Sequence, residues 1–440
     1  MKMESYREAA DRLAEFIQAS PSAFHVIRNA ADALQKEGFS ELDEGTCWEL
    51  KRGGKYFVIR GDSSVIAIKI PEENPSGFNI IAAHSDSPSF KVKENPEMER
   101  AGQYVGLNVE GYGGMLCGPW FDRPLSAAGR VAAREADSVR SILVDINRDL
   151  LMLPSLAVHM DRNANANVPC KIQSDMIPVF GDAASSGSFM KLVAEAAGTE
   201  PENILGHDLY LYCRTAPCVW GASEEYFSAP RLDDLQCAFS ALNAVISSEN
   251  KSKILLGCIF DGEEAGSRTS NGADSTFLED TVARVCEALG KTGSQKLELI
   301  AGSYMLSADN AHAVHPNRPE KADPVNRPSL NGGVVIKFNA NQKYTTNAIS
   351  AAIFRQICEN AGIPTQVYVN NSDIPGGSTL GNISLSHVSV TCCDIGCPQL
   401  AMHSPYETTG IRDTEYMTEA MKAFFSSSIK KTASDSYIIK

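Results

Sequence analysis

The chain has 440 residues, and at roughly 100–200 residues per domain this length predicts two or three domains with large cores. Its composition, 43% hydrophobic and 21% charged residues, is ordinary for a soluble globular protein. The formal net charge of −14 at pH 7 argues against the basic surface that nucleic acids and anionic membranes require in a partner.

The chain divides into stretches that differ in composition and in the periodicity of their apolar residues. An amphipathic helix is expected over 5–19, and short β-rich runs follow it. From about 91 to 228 the sequence is rich in Gly, Pro and Asn, and its short apolar runs predict a separate, mostly β segment. From 229 onward, apolar strands such as 254–260 alternate with amphipathic helices, the last of them over 414–430. This alternation predicts a helix-covered, largely parallel sheet.

The N-terminal segment lacks the apolar stretch of a signal peptide, and no apolar run approaches the roughly 18 residues of a membrane span. The 12 cysteines are thinly spread and mostly lie in apolar runs, which favours buried reduced thiols over disulfides. Cys392, Cys393 and Cys397 have no second Cys or His cluster nearby, so a zinc knuckle is not expected. We therefore expect a cytoplasmic, soluble protein.

Nearly every predicted element of the α/β portion ends or begins with a polar cluster. The clusters are His84-Ser85-Asp86, Arg231-Leu232-Asp233-Asp234, Asp261-Gly262-Glu263-Glu264, Asp309-Asn310-Ala311-His312 and His403-Ser404. Functional groups gather at the carboxyl ends of parallel strands, so these side chains could form one metal site for zinc, Mn²⁺ or Co²⁺. Four carboxylates and two imidazoles exceed the needs of one ion, whereas two ions about 3.5–4 Å apart would use them all.

Each cluster also has a plainer explanation. His84 and Asp86 could be a solvent-facing pair, although Asp86 also suits the carboxylate that accepts the second N–H of a ligand histidine. Glu263 and Glu264 could form a solvated acidic turn. Alternatively, one of them binds metal while its neighbour takes a proton from water.

Three further segments hold candidate residues. Asp233 and Asp234 open a helix, where Asp is a favoured cap, and their spacing does not select one of them as a ligand. A lone histidine such as His159 is more often a core or surface residue. The backbone N–H groups of Gly376-Gly377-Ser378 could bind a substrate carboxylate or carbonyl, although a simple helix start explains the run equally well.

Six segments, in order along the chain, resemble the motifs of the M18 metallopeptidases, the aspartyl aminopeptidase family. They are 81–88, 120–125 with 128–131, 230–235, 261–267, 307–317 and 399–404. The resemblance runs from about residue 5 to 430. It implies a zinc exopeptidase-like catalytic domain formed by 1–90 and 229–440, interrupted by a β-rich dimerisation domain over 91–228.

The resemblance also implies a role for each site residue. The expected ligands of two Zn²⁺ ions are His84, Asp233, Glu264, Asp309 and His403, with Asp233 as the bridge. Glu263 matches the general base, and Asp86 matches the carboxylate behind His84. His159 matches a histidine that reaches into a neighbouring subunit's active site and contacts the reacting carbonyl. That role implies at least a dimer, and the family typically assembles into a tetrahedral dodecamer.

These roles predict a zinc aminopeptidase that removes residues from peptides with a free N-terminus. A related two-metal dipeptidase or deacylase could use the same ligands, whereas a non-catalytic shell-forming scaffold is disfavoured by the complete ligand set. Family members that prefer N-terminal Asp or Glu have a Lys where this chain has Asn341. The preferred N-terminal residue is therefore open, and Lys343 is the candidate cation for an acidic side chain.

Overall fold

A computed structural model of the protein describes residues 3–166, 169–433 and 436–440. The helices of these residues are α1 (Met3–Ala19), α2 (Ala23–Lys36), α3 (Ile172–Asp175), α4 (Phe189–Ala197), α5 (Leu232–Ser247), α6 (Phe277–Ala288), α7 (Gly293–Ala301), α8 (Ala348–Asn360), α9 (Leu380–Ser384) and α10 (Asp413–Ser426). None of the described helices combines the length and the hydropathy needed to cross a lipid bilayer.

The strands, numbered along the chain, form four sheets. They are β1 (Ser40–Leu42), β2 (Lys55–Arg60), β3 (Ser64–Lys69), β4 (Phe78–His84), β5 (Ser89–Arg100), β6 (Tyr104–Tyr112), β7 (Leu125–Glu135), β8 (Ser138–Asp145), β9 (Val179–Asp182), β10 (Ile204–Cys213), β11 (Cys218–Trp220), β12 (Tyr226–Ala229), β13 (Ile254–Phe260), β14 (Tyr304–Ala308), β15 (Ala311–His312), β16 (Val334–Phe338), β17 (Thr365–Val369), β18 (Thr391–Gly396), β19 (Pro398–Leu400), β20 (Glu407–Gly410), β21 (Ile429–Ala433) and β22 (Ser436–Ile439).

The largest sheet has nine strands in the order β1-β2-β3-β13-β4-β14-β18-β16-β17. Its central neighbours β13, β4, β14 and β18 are parallel, while β3 and β16 each run antiparallel to the adjoining central strand. Helices cover both faces of this sheet. The predicted helix-covered, largely parallel sheet is therefore confirmed.

Strand β4 shows how the sequence builds this arrangement. All seven of its residues are buried, because alternate side chains enter two different cores. Ile81 and Ala83 face a cluster that includes residues of α1, α2, α5, α8 and α10, whereas Ile80 and Ala82 face a cluster with α6, α7 and α9. Burying an Ile or Leu side chain completely stabilises the folded state by roughly 1.5–3 kcal/mol. A strand that is apolar on both faces gains this stabilisation for all its side chains only when helices cover both faces of the sheet.

The segment between the first and second parts of this sheet forms its own antiparallel sheet. Six strands pair in the order β8-β7-β10-β5-β6-β9, over a separate apolar core that includes Phe90, Trp120 and Phe189. Strands β11 and β12 then pair with β20, β19 and β15 in a five-stranded sheet. The boundaries 91–228 and a dimerisation role for this segment stay predictions.

The C-terminal helix is shorter than the periodicity suggests. A helix is expected over 414–430, but α10 ends at Ser426, and β21 then pairs antiparallel with β22. Helical spacing of apolar residues does not reveal that β21 pairs with β22, because this pairing depends on tertiary contacts.

Candidate metal centre

Acidic and imidazole side chains meet at one edge of the nine-stranded sheet. His84 is the last residue of β4, and Asp309 follows the end of β14. Strand β13 leads into a short 3-10 turn that begins with Glu263 and Glu264. The parallel register places Phe260, the end of β13, opposite His84. The carboxyl ends of these strands therefore lie side by side, where α/β sheets place their ligands.

His84 presents one ring nitrogen to this cluster and the other to its support. Its Nε2 atom lies 3.6 Å from Oδ1 of Asp233. Its Nδ1–H donates to the backbone carbonyl of Asp86 at 3.0 Å. Burial alone lowers the pKa of His84, but the adjacent carboxylates of Asp233 and Asp86 outweigh it, and the pKa is well above its ordinary value. The Nδ1 hydrogen bond orients the ring so that Nε2 points toward the carboxylates of the cluster.

Asp233 lies between the two histidines of the cluster. Its Oδ1 faces His84, and its Oδ2 lies 3.5 Å from Nε2 of His403. The adjacent Asp234 instead accepts the backbone N–H of His84 at 3.2 Å through Oδ2. A carboxylate with one oxygen toward each of two imidazoles has the arrangement that a bridge between two cations needs.

His403 and Glu264 form the second side of the cluster. The Nε2 atom of His403 lies 3.4 Å from Oε2 of Glu264, and its Nδ1–H donates to the carbonyl of Gly114. Sequence reasoning missed Glu407, whose buried carboxylate accepts the backbone N–H of Asp233 at 3.0 Å and that of His403 at 2.7 Å. Its isolated position in the sequence, among Thr and Tyr, carries no signal of this role.

Asp86 supports the turn as well as the histidine. Its Oδ1 accepts the backbone N–H of Glu263, and its Oδ2 accepts that of Glu264, each at 3.1 Å. The hydroxyl of Tyr112, which sequence reasoning also missed, donates to Oδ2 at 2.6 Å. Burial opposes ionisation of Asp86, but His84 and these donors hold its pKa below its ordinary value.

A buried lysine, Lys337, faces the carboxylate of Asp309. The Nζ atom of Lys337 lies 3.5 Å from Oδ2 of Asp309, and Lys337 is only 2% exposed. It also lies over the ring of Tyr344, 5.4 Å from the centroid. Burial lowers the pKa of Lys337, but Asp309 more than offsets this, so the pKa is above its ordinary value. Lys337 lies inside an apolar strand, where sequence reasoning did not look for a functional residue.

The described residues offer three overlapping groups of candidate ligand atoms, each within 4.8 Å. The groups are His84 with Asp233, Asp234 and Asp309; His84 with Glu263 and Glu264; and Asp233 with Glu264 and His403. Three buried carboxylate oxygens, Oδ1 of Asp233, Oδ1 of Asp234 and Oε1 of Glu264, find no hydrogen-bond partner among the described residues. Unpartnered buried carboxylate oxygens are costly, and bound divalent cations would satisfy them. The donor set of imidazole and carboxylate suits zinc.

Glu263 faces the same cavity, of about 310 Å³, which is also lined by Lys337 and Tyr344. Burial raises the pKa of Glu263 to about 8, and the neighbouring carboxylate of Asp309 adds to this while His84 opposes it. The backbone N–H of Glu263 donates to Asp86, and no hydrogen bond holds its side chain among the described residues, so the carboxyl group faces the cavity without a competing donor.

His159 lies outside this cluster. It is exposed and sits on a turn of the segment between β8 and α3. Leu156, Val158 and Met160 around it are also exposed, at 59, 46 and 76%. A single copy of the chain therefore does not bring His159 to the candidate ligands, and its loop presents an apolar surface.

The candidate substrate residues divide between two places. Gly377 and Ser378 line the cavity that contains Glu263, whereas Gly376 lines an adjoining cavity, which Gly377 also lines. Lys343 is exposed and does not line the cavity, whose wall at that point is formed by the buried Tyr344.

Comparison with known proteins points in one direction. A family model described as aminopeptidase I zinc metalloprotease (M18) matches residues 16–425. A protein of Clostridium acetobutylicum named probable M18 family aminopeptidase 2 is 41% identical over 432 residues, which cover 96% of this chain and 100% of that one.

Solved structures agree with this match. The chain is similar to one in the cryo-EM structure of the Ape4 and Nbr1 complex, with a TM-score of 0.93 and 34% identity over 96% of this chain and 86% of that one. It is also similar to the mApe1 dodecamer of S. cerevisiae, with a TM-score of 0.84 and 26% identity over 96% and 97% of the two chains.

Proposed function

Because this chain belongs to the M18 family of zinc metallo-aminopeptidases, we propose that it removes N-terminal residues from peptides by two-metal hydrolysis with Glu263 as general base. The observation that carries the two-metal proposal is the position of Asp233. Its two oxygens face His84 and His403 separately, at 3.6 and 3.5 Å, as a bridging carboxylate requires.

The proposed ligands divide into two sets that share Asp233. One ion would be held by His84, Asp233 and Asp309, and the other by Asp233, Glu264 and His403. Asp233 is preferred to Asp234 because it directs one oxygen toward each histidine, whereas Oδ2 of Asp234 accepts the backbone N–H of His84. We propose two Zn²⁺ ions per subunit, for which Mn²⁺ or Co²⁺ could substitute.

The chain's own residues would move the protons. Bound zinc would act as a Lewis acid toward the scissile carbonyl and would lower the pKa of water at the site. Glu263 would take a proton from the attacking water and deliver it to the leaving amine. Asp86 supports this role, because its carboxylate accepts the backbone N–H of Glu263 and thereby fixes the turn. The resulting bond change is peptide plus water to a free amino acid and a shortened peptide.

We also propose that the segment 91–228 mediates dimerisation and that His159 acts on a neighbouring subunit's substrate. The support is the exposed apolar loop around His159, which a single copy leaves uncovered. His159 would stabilise the negative charge that develops on the reacting carbonyl. A dodecamer is proposed by similarity to the mApe1 assembly.

For substrate binding we propose backbone contacts from the run Gly376, Gly377 and Ser378, of which the last two line the cavity beside Glu263. Lys343 stays the candidate cation for an acidic N-terminal side chain. A cytoplasmic location stays a prediction from the sequence.

The proposal is tested with zinc-loaded protein and a panel of aminoacyl-nitroanilides with Asp, Glu, Leu and Lys, alongside their N-acetylated counterparts, N-acylated amino acids, dipeptides and longer peptides. We expect turnover only of substrates with a free amine, and loss of turnover on chelation. Hydrolysis of N-acylated amino acids instead would favour a deacylase, and cleavage of dipeptides alone would favour a dipeptidase. No turnover of any substrate by protein that binds zinc would favour a non-catalytic scaffold.

A further inference from the structure

Asp394, in strand β18, is a buried carboxylate that joins two separate loops. Its Oδ2 accepts the backbone N–H of Thr345 at 2.6 Å and the hydroxyl of the same residue at 2.7 Å. Its Oδ1 accepts the hydroxyl of Thr379 at 2.6 Å. Its own backbone N–H donates to the hydroxyl of Thr346 at 2.8 Å. Asp394 is fully buried, so water cannot replace these donors.

Both loops line the cavity that contains Glu263. Tyr344, the neighbour of Thr345, lines that cavity, and so do Ser378 and Thr379. Thr345 lies between β16 and α8, whereas Thr379 immediately precedes α9. No strand pairing joins these two segments in the described sheets, so the carboxylate of Asp394 is a direct polar link between them.

Helix α9 packs closely against Asp394. A Cβ atom added to Gly381 would lie 2.8 Å from Oδ1 of Asp394 and 2.9 Å from the Cβ of Ser307. The start of α9 therefore lies directly on the carboxylate. Hydrogen bonds to a carboxylate are about twice as strong as neutral ones. Because Thr345 and Thr379 both donate to Asp394, the position of its carboxylate affects both loops.

We propose that Asp394 is a positioning residue for the substrate, which holds the Tyr344 wall and the Ser378 wall of the cavity at a fixed separation. This inference rests on the proposed function, because it assumes that the cavity beside Glu263 receives the N-terminal residue of the peptide. Asp394 does not itself line that cavity, so it acts through Thr345 and Thr379.

The test compares Asp394→Ala with Asp394→Asn in the full-length, zinc-loaded protein. The alanine variant removes every side-chain acceptor. The asparagine variant keeps one oxygen for the two donors of Thr345, and its NH₂ group can donate to the hydroxyl of Thr379. We expect Asp394→Ala to raise KM about tenfold or more with a smaller loss of kcat, since misplaced walls weaken binding before they alter the chemistry. Asp394→Asn should stay within about threefold of wild type.

Asp413→Ala is the matched control. Asp413 is an equally buried carboxylate that accepts the backbone N–H groups of Asn331 and Gly333, at 2.7 and 3.2 Å, and it does not line the cavity. Its replacement should lower stability without the KM effect. The same rise in KM in Asp413→Ala would show a general structural cause and would overturn the proposal.

A second measurement does not depend on turnover. Hydrogen exchange over 341–347 and 376–381 should be faster in Asp394→Ala than in wild type and unchanged there in Asp413→Ala. Unchanged exchange in both segments would overturn the positioning role even if no substrate is hydrolysed, whereas absent wild-type turnover would contradict the proposed function alone. If Asp394→Ala does not fold, Thr379→Val and Thr345→Val each remove one part of the link, and wild-type KM and exchange in both would also overturn it.

Discussion

The carboxylate of Asp86 accepts the backbone N–H of Glu263 at 3.1 Å, so the residue behind His84 also sets the position of the proposed general base. Its second oxygen accepts the N–H of Glu264 at the same distance. Asp86 thus supports a proposed histidine ligand through its backbone carbonyl, and a proposed carboxylate ligand and the proposed base through its carboxylate. Two of the predictions below concern this site, a third concerns His159, and the last concerns the buried Lys253.

Replacing Glu263 by Gln should abolish turnover while zinc remains bound. The amide keeps the size of the side chain but cannot take a proton, and general-base catalysis contributes about 10²–10⁴-fold to the rate. Steady-state kinetics and zinc content measured by emission spectroscopy check this. Glu279→Gln, at an exposed position of α6, is the control and should behave like wild type. Wild-type-like turnover in Glu263→Gln would remove the assignment.

The number of bound ions should depend on which carboxylate is altered. Wild-type protein should bind two Zn²⁺ per chain, and Asp309→Asn should weaken one of them, because Asp309 occurs in only one of the two proposed ligand sets. Asp233→Asn should weaken both, since Asp233 faces His84 and His403 at once. Isothermal titration calorimetry of chelator-stripped protein measures the stoichiometry. One strong site in wild type, or equal losses in the two variants, would contradict the bridge.

Two inactive variants should complement each other if His159 acts between subunits. His159→Ala retains Glu263, and Glu263→Gln retains His159, so a mixed dimer would contain one site with both groups. Co-expression with two affinity tags and tandem purification isolates that mixed species. We expect it to recover up to about half of the wild-type turnover per dimer, while each variant alone stays impaired. A mixed dimer no more active than its parents would place His159 outside the neighbouring site.

Lys253 should make stability rise with pH in the alkaline range. It is 3% exposed, and its Nζ donates to the carbonyl of Gly302 at 2.6 Å. Burial lowers the pKa of Lys253 from 10.5 to about 8. Between these values the unfolded chain binds more protons than the folded one, so the free energy of unfolding increases with pH.

Lys253→Met removes that titration. Urea unfolding from pH 7 to 10.5 should therefore show wild type gaining stability relative to Lys253→Met, by roughly 3 kcal/mol at most. The gain should begin near pH 8. A difference between the two proteins that does not change with pH would show that the burial of Lys253 does not suppress its charge.

Local patterns were sufficient for the type of fold. Continuous apolar runs such as 254–260 indicate strands buried on both faces, and their alternation with amphipathic helices implies helical layers on both sides. The end of the last helix was not predictable in this way, because the first residues of β21 continue the helical spacing and become a strand only by pairing with β22. Pairing between segments depends on which surfaces meet, and a periodicity of side chains contains no information about that.

The same division holds for the candidate site. Polar residues after an apolar strand, such as His84 and Glu264, can be selected from sequence because the end of a strand is a local event. Glu407, Tyr112 and Lys337 could not be selected, since each becomes relevant only through a contact with a residue far away in the chain. By itself the sequence determined an α/β scaffold and the polar groups at its strand ends. Only the tertiary structure decided which of those groups meet, because the order β13-β4-β14 joins strands that are distant in sequence.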